Sequence, residues 1–297
     1  MPMAAHPASA DCPAAPRVAF VDSGVGLVAY ADALLALRPD VHLVLSMDPD
    51  HMPYGPRTPE EVRHLIIESA RATLPYRPDA IVVACNTASV HGLAALRAEL
   101  EPAVPVIGTV PAIRPAALTG GPVAVWATLA TTGSDYLRGL VDAFAADIET
   151  HAVAALGLAE AIEAADAETV RDCIGAAAQA TPPVRALVLG CTHYGLVADR
   201  IADAVGNVTI FDSPVAVARQ TLRRLALEPD PAASGGGVEA VLLSGRPGEL
   251  PETMLAYPAG RRLAAARPGP TIGQDTSGVE RSLSVGRAGD GAAGRGV

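Results

Sequence analysis

The feature that most narrows the folds open to this 297-residue chain is a strand-into-cysteine pattern that it contains twice. Ile81-Val82-Val83-Ala84 runs into Cys85-Asn86-Thr87, and 106 residues on, Leu187-Val188-Leu189-Gly190 runs into Cys191-Thr192-His193. Nearly the same shift lays Val18-Ala19-Phe20-Val21 on Val123-Ala124-Val125-Trp126, and Val106-Ile107 on Ile210-Phe211. Longer Ala-, Leu-, Arg- and Glu-rich segments of helical period separate these runs. Aliphatic strands alternating with helices are the signature of a parallel sheet covered on both faces. The expected fold is therefore α/β, with two similar parallel-sheet domains from an internal duplication facing each other across a cleft. Strands are expected at Val18–Val21, Val41–Leu45, Ala80–Ala84, Val104–Ile107, Val123–Trp126, Ile148–Val153, Ala186–Leu189 and Val208–Phe211.

The same reading divides the chain into a first domain, 17–108, completed by about 212–266, and a second, 109–211. Residues 1–16 are rich in Pro and Ala, and 267–297 in Gly, Ser and Arg, so both ends read as disordered tails. Aromatic residues make up only 3%, which leaves Ala, Val, Leu and Ile to fill the core. All 22 cationic residues are arginine. The absence of lysine removes a Schiff base to pyridoxal phosphate and the lysine of a Walker phosphate loop. A net charge of -10 disfavours a nucleic-acid partner. No apolar run reaches the roughly 18 residues of a membrane span, and the first residues lack signal-peptide features, so no membrane contact and a cytoplasmic location are expected. There the four cysteines would be reduced thiols; their spacing matches no zinc module, and no metal is expected. Cys12 in the tail and Cys173 on a helical run read as incidental.

A cysteine directly after a buried strand and before a helix meets unpaired N–H groups and the positive end of the helix dipole, which favour a thiolate. Cys85 and Cys191 are thus expected as two activated thiols at strand ends, where open α/β sheets bind ligands. Asp22, Ser23, Asp48 and Thr128 fall at similar ends. Thiols on opposite faces of one ligand can invert a stereogenic carbon: one removes the proton, and the other delivers a proton to the opposite face. Asn86, Thr87, Thr192 and nearby backbone N–H groups are available to stabilise the carbanionic transition state. His193 is placed to shuttle or stabilise the proton of Cys191, against the alternative of an ordinary helix-start histidine. Asp22 is placed to serve Cys85, against the alternative of a helix cap. A cysteine hydrolase built on Cys191 would leave Cys85 without a role, and His193, two residues away, is expected to be poorly placed as its base.

With these residues in view, the chain resembles the glutamate racemases of the aspartate/glutamate racemase superfamily over about residues 17–225. The motifs are Asp22-Ser23-Gly24-Val25-Gly26, Asp48 through Gly55 with Arg57-Thr58-Pro59-Glu60-Glu61-Val62, Ala84 through Ser89, and Gly190 through Tyr194. Val106-Ile107-Gly108, Pro111 through Ala117 and Ala127-Thr128 with Thr131, Ser134 and Tyr136 are also family-like.

The resemblance implies cofactor-independent interconversion of L- and D-glutamate between two α/β domains, supplying D-glutamate for peptidoglycan. It implies Cys85 as the acid/base for the D-enantiomer, assisted by Asp22, and Cys191 for the L-enantiomer, assisted by His193 and a glutamate. Glu163 matches that glutamate, with Glu160 as a rival. Substrate contacts carry over to Asp22, Ser23, Pro53, Tyr54, Gly55, Asn86, Thr87, Thr128, Thr131, Thr192 and His193. Two positions depart from the family pattern: Leu27 stands where a further glycine is usual, and Ala155-Leu156 replaces a Cys-Pro pair. A homodimer is the expected assembly. Competing functions are an aspartate or hydantoin racemase, a maleate-type isomerase, or a secondary binding role such as DNA gyrase inhibition, for which no residue here speaks.

Overall fold

The computed structural model describes residues 15–266, so the tails expected at 1–16 and 267–297 lie, apart from Ala15 and Pro16, outside the described residues. Four strands, β1 (Arg17–Asp22), β2 (His42–Met47), β3 (Ala80–Val83) and β4 (Val106–Gly108), pair in parallel in the order β2-β1-β3-β4. Four more, β5 (Val123–Ala127), β6 (Thr150–Ala154), β7 (Ala186–Leu189) and β8 (Thr209–Phe211), pair in parallel as β6-β5-β7-β8. The two orders are the same topology run twice, as the repeated strand-into-cysteine pattern requires. The first sheet then gains two strands not anticipated from the sequence. β9 (Gly237–Leu243) joins β2 in parallel, and β10 (Arg246–Gly248) folds back on β9 antiparallel.

The central strands are buried on both faces, which is why they read as unbroken aliphatic runs. Four strands start later than expected, β2 and β8 by one residue and β4 and β6 by two. β4 begins at Val106 because the Val104 N–H is turned back to the Leu100 carbonyl at 2.9 Å and Pro105, which has no N–H, joins β3 only by accepting from Ile81 at 3.0 Å; β6 begins at Thr150 because the Ile148 N–H is turned to the Ala145 carbonyl at 2.9 Å.

With so few aromatic rings, the core is aliphatic, and one hydrophobic cluster spans both halves. It runs from Phe20, Leu27 and Leu34 under the first sheet to Trp126, Leu187 and Tyr194 under the second. The helix Leu27–Leu37 packs on the turn Thr192–Val197, so the shared core lies directly beneath both cysteine-bearing strand ends. Among the described residues, no helix is long and apolar enough to cross a membrane.

Candidate active site

Cys85 and Cys191 each end a strand and cap the helical segment that follows. Cys85 has φ/ψ of -131/123 before the helix Asn86–Leu100, and Cys191 has -131/138 before a 3-10 turn. The duplication is therefore matched at the backbone of the two cysteines. Asn86 ties the halves together by donating from Nδ2 to the Gly190 carbonyl at 2.9 Å, which leaves its buried Oδ1 without a partner. An unpaired acceptor at the cleft is costly unless a donor arrives to meet it.

Asp22 lies at the centre, fully buried at the end of β1. Its carboxylate accepts from the Ser23 N–H at 2.7 Å and the Thr192 hydroxyl at 3.3 Å, and it faces the Cys85 thiol. Burial raises its pKa to about 7, against the lowering effects of His193 and of the bonds from Ser23 and Cys85. On the other side, His193 Nδ1 lies 3.9 Å from Cys191 Sγ, and its Nε2 lies 2.8 Å from Glu163. Burial pushes the imidazole down, but its bonds and charge interactions with Cys191 and Glu163 outweigh this and hold it well above the ordinary value. Each thiol thus has its own ionisable neighbours: Asp22 beside Cys85, and His193 with Glu163 beside Cys191.

Two expectations are corrected by this geometry. At Cys85 the helix start does not win: burial, and after it the Asp22 carboxylate, push the thiol well above its usual value. A strand-to-helix position supplies only the lowering term, and the tertiary surroundings supply a larger raising one. His193 is also not poorly placed toward Cys191, because the 3-10 turn brings its ring back to within 3.9 Å of the sulfur. The hydrolase reading is therefore set aside on Cys85 and Asp22, which a Cys–His pair alone would not need.

Glu163 and Glu160 differ clearly. Glu160 is exposed, whereas Glu163 turns inward, takes the Val25 N–H at 2.8 Å and meets His193. The short helix Leu158–Glu163 starts from Gly157 at φ +71 and is held by Tyr257, whose hydroxyl donates to the Ile162 carbonyl at 2.6 Å. Tyr194 donates to the Ala155 carbonyl at 3.3 Å, so the pair Ala155-Leu156 is anchored without a proline. The close approach in the opening loop falls on Gly24 and Gly26. A methyl at Gly24 would sit 2.2 Å from Glu163 Oε2, and one at Gly26 would sit 2.4 Å from Thr192 Oγ1. Leu27, by contrast, is fully buried in the shared core.

At the helix start that follows Cys85, a cleft of about 520 Å³ opens between the halves, lined by Gly55, Asn86 and Thr87 on one side and Thr131, Ser134 and Tyr136 on the other. A methyl at Gly55 would come 3.7 Å from the Thr128 hydroxyl, which is itself 3.0 Å from Thr131 Oγ1. Gly55, Thr128 and Thr131 thus flank one opening. Tyr54 differs from the rest of this set: its ring is buried and its hydroxyl donates to Asp48 at 2.8 Å, within the fold of the first half. Ser244 was not anticipated. It reaches the same Asp48 at 2.7 Å from the turn between β9 and β10, a turn that Ser-Gly between an aliphatic run and Arg246 could have signalled.

The Asp/Glu/hydantoin racemase family description matches residues 26–221. A glutamate racemase from Herpetosiphon aurantiacus is 37% identical over 241 residues, covering 77% of this chain and 93% of that protein. One from Stutzerimonas stutzeri is 37% identical over 246 residues, 80% of this chain and 91% of its own length. Among solved structures, Escherichia coli glutamate racemase in complex with L-glutamate and the activator UDP-MurNAc-ala superposes with a TM-score of 0.71. That match has 28% identity and covers 84% of this chain and 95% of that one.

Proposed function

From the premise that the chain belongs to the glutamate racemases of the Asp/Glu/hydantoin racemase family, we propose that it interconverts L- and D-glutamate by a two-thiol mechanism without a cofactor. The observation that carries this reading is the pair of strand-end cysteines with matching backbone conformation, each beside its own proton relay. The enzyme is an isomerase. Its role is to supply D-glutamate for peptidoglycan in the cytoplasm. One domain comprises residues 17–108 with 212–266, and the other 109–211.

From D-glutamate, Asp22 takes the proton of the Cys85 thiol, and the resulting thiolate removes the α-proton. The C–H electron pair moves onto the α-carboxylate, and the Cys191 thiol then delivers its proton to the opposite face of the carbon, leaving a thiolate. Glu163 and His193 reprotonate Cys191, and the reverse direction uses the same groups in the opposite order. The buried Asn86 and Thr192 side chains and the half-buried Thr128 hydroxyl, with the backbone of Ser23 and Gly55, surround the glutamate as neutral polar groups, the open Asn86 Oδ1 serving as an acceptor for its ammonium group. Thr87, Thr131 and the Pro53-Tyr54 backbone complete the binding set.

Incubated with L-glutamate and no added cofactor, the protein is expected to abolish the circular dichroism of the solution, while aspartate and a hydantoin retain theirs. Undiminished ellipticity with glutamate at high enzyme concentration contradicts the reading. Glu163→Gln tests the second relay. Because the equilibrium constant of racemisation is one, kcat/KM must fall equally in both directions, by about 10- to 100-fold. Exchange of the α-hydrogen of L-glutamate should slow while that of D-glutamate persists, and Glu160→Gln should leave both unchanged.

A further inference from the structure

The segment from Asp48 to Gly55 has no regular structure, yet a distant part of the chain grips it. The Asp48 carboxylate, 3% exposed, accepts from Tyr54 Oη at 2.8 Å and from Ser244 Oγ at 2.7 Å, and faces His51 Nδ1 at 2.9 Å. Ser244 Oγ also accepts from the Asp50 N–H at 3.1 Å, and the Ser244 N–H donates to the Met47 carbonyl at 2.8 Å. Arg246 adds a bond to Asp50 Oδ2 at 2.7 Å. Ser244 and Gly245 form the two-residue loop between β9 and β10, with φ of +46 and +77, the left-handed pair that a tight hairpin requires. Serine is an unfavourable residue at such a φ, and glycine or asparagine would suit the backbone better. What serine supplies is its hydroxyl, which bridges the Asp48 carboxylate and the Asp50 amide.

We infer that Asp48 and the Ser244-Gly245 turn form a clasp that positions the Pro53-Tyr54-Gly55 backbone at the mouth of the cleft. Asp48 and Ser244 are positioning residues: they act through Tyr54, whose hydroxyl fixes the peptide leading into Gly55, opposite Thr128. The inference rests on the reading that Gly55 meets the substrate. It explains why β9 and β10 are added to the edge of β2, the strand that leads directly into this loop. A loop held before the ligand arrives binds it without the cost of ordering, so releasing it should weaken ground state and transition state alike.

Ser244→Gly in the full chain removes the hydroxyl and both of its bonds while suiting the positive φ, so the fold itself is not strained. The expected result is a rise of about tenfold in KM for both glutamate enantiomers with kcat within about twofold of wild type. Amide hydrogen exchange at residues 49–57 should quicken by about tenfold or more, with the central strands β1 and β3 unaffected. Ser244→Asn, which tolerates the left-handed conformation and carries a side-chain donor and acceptor, should restore both readouts to within about threefold. Unchanged exchange at 49–57 in Ser244→Gly overturns the clasp, as does unchanged KM or a fall in kcat alone. If wild-type protein does not racemise glutamate but exchange responds as stated, the substrate reading fails and the clasp stands.

Discussion

Cys85→Ser and Cys191→Ser are each expected to lower the inversion of glutamate by about 10³-fold or more, while leaving each variant able to exchange the α-hydrogen of one enantiomer. A serine hydroxyl in the same place is far less acidic than a thiol, so the altered face can neither take nor return the proton at neutral pH. The intact face keeps its relay. Cys85→Ser retains Cys191 with His193 and Glu163, and should wash solvent deuterium into L-glutamate without forming D-glutamate. Cys191→Ser retains Cys85 with Asp22, and should do the same to D-glutamate. Nuclear magnetic resonance in deuterium oxide, alongside circular dichroism, separates exchange from inversion. Inversion by either variant within about tenfold of wild type contradicts a mechanism with one thiol on each face.

Asp22→Asn is expected to trade activity for stability. The folded protein holds this carboxyl at about 7, with burial as the main cause, against 3.8 as its ordinary value. Between about pH 4 and pH 7, the unfolded chain releases the proton while the folded chain retains it, so the fold loses stability as pH rises through that window. Above it the loss is complete, on the order of a few kcal/mol. An amide at position 22 removes that cost, and its Oδ1 can still accept from Ser23. At pH 8 the variant should therefore melt several degrees above wild type, and at pH 4 the two should coincide. Activity moves the other way. Without a base for the Cys85 thiol, kcat/KM should fall by about 10²- to 10⁴-fold. The acid limb near pH 7 in the wild-type kcat/KM profile should vanish with it. Equal melting temperatures at pH 8, or an unaltered acid limb, would detach Asp22 from the proton chemistry.

The parts of this site that could be read from the sequence are those set by local structure. Cys85 and Cys191 stand where an aliphatic strand gives way to a helical start, and their repetition 106 residues apart marks the duplicated topology. What escaped is tertiary. Whether a buried thiol ionises depends on what else is buried with it, and for Cys85 that is Asp22 from a neighbouring strand. The choice between Glu160 and Glu163 turns on the left-handed entry at Gly157 and on Tyr257, which lies nearly a hundred residues further on. The late segment holding β9 and β10 is punctuated by glycine and proline, and its contribution shows only when Ser244 closes on Asp48. Leu27, a departure from the family pattern, falls in the core, while the contacts that demand glycine belong to Gly24 and Gly26.

The central claim is that one thiol works on each face of the substrate, and the early time course of racemisation in deuterium oxide tests it most directly. Starting from L-glutamate with wild-type enzyme, the account predicts that the first D-glutamate formed carries deuterium at Cα, because the hydrogen it gains comes from the solvent-exchanged Cys85 thiol opposite the abstracting Cys191. With Cys85 as the delivering thiol in this direction, the remaining L-glutamate should stay largely protiated over the same interval. First-formed D-glutamate that retains the original hydrogen would mean that a single group carries the proton across, and would contradict the two-thiol account.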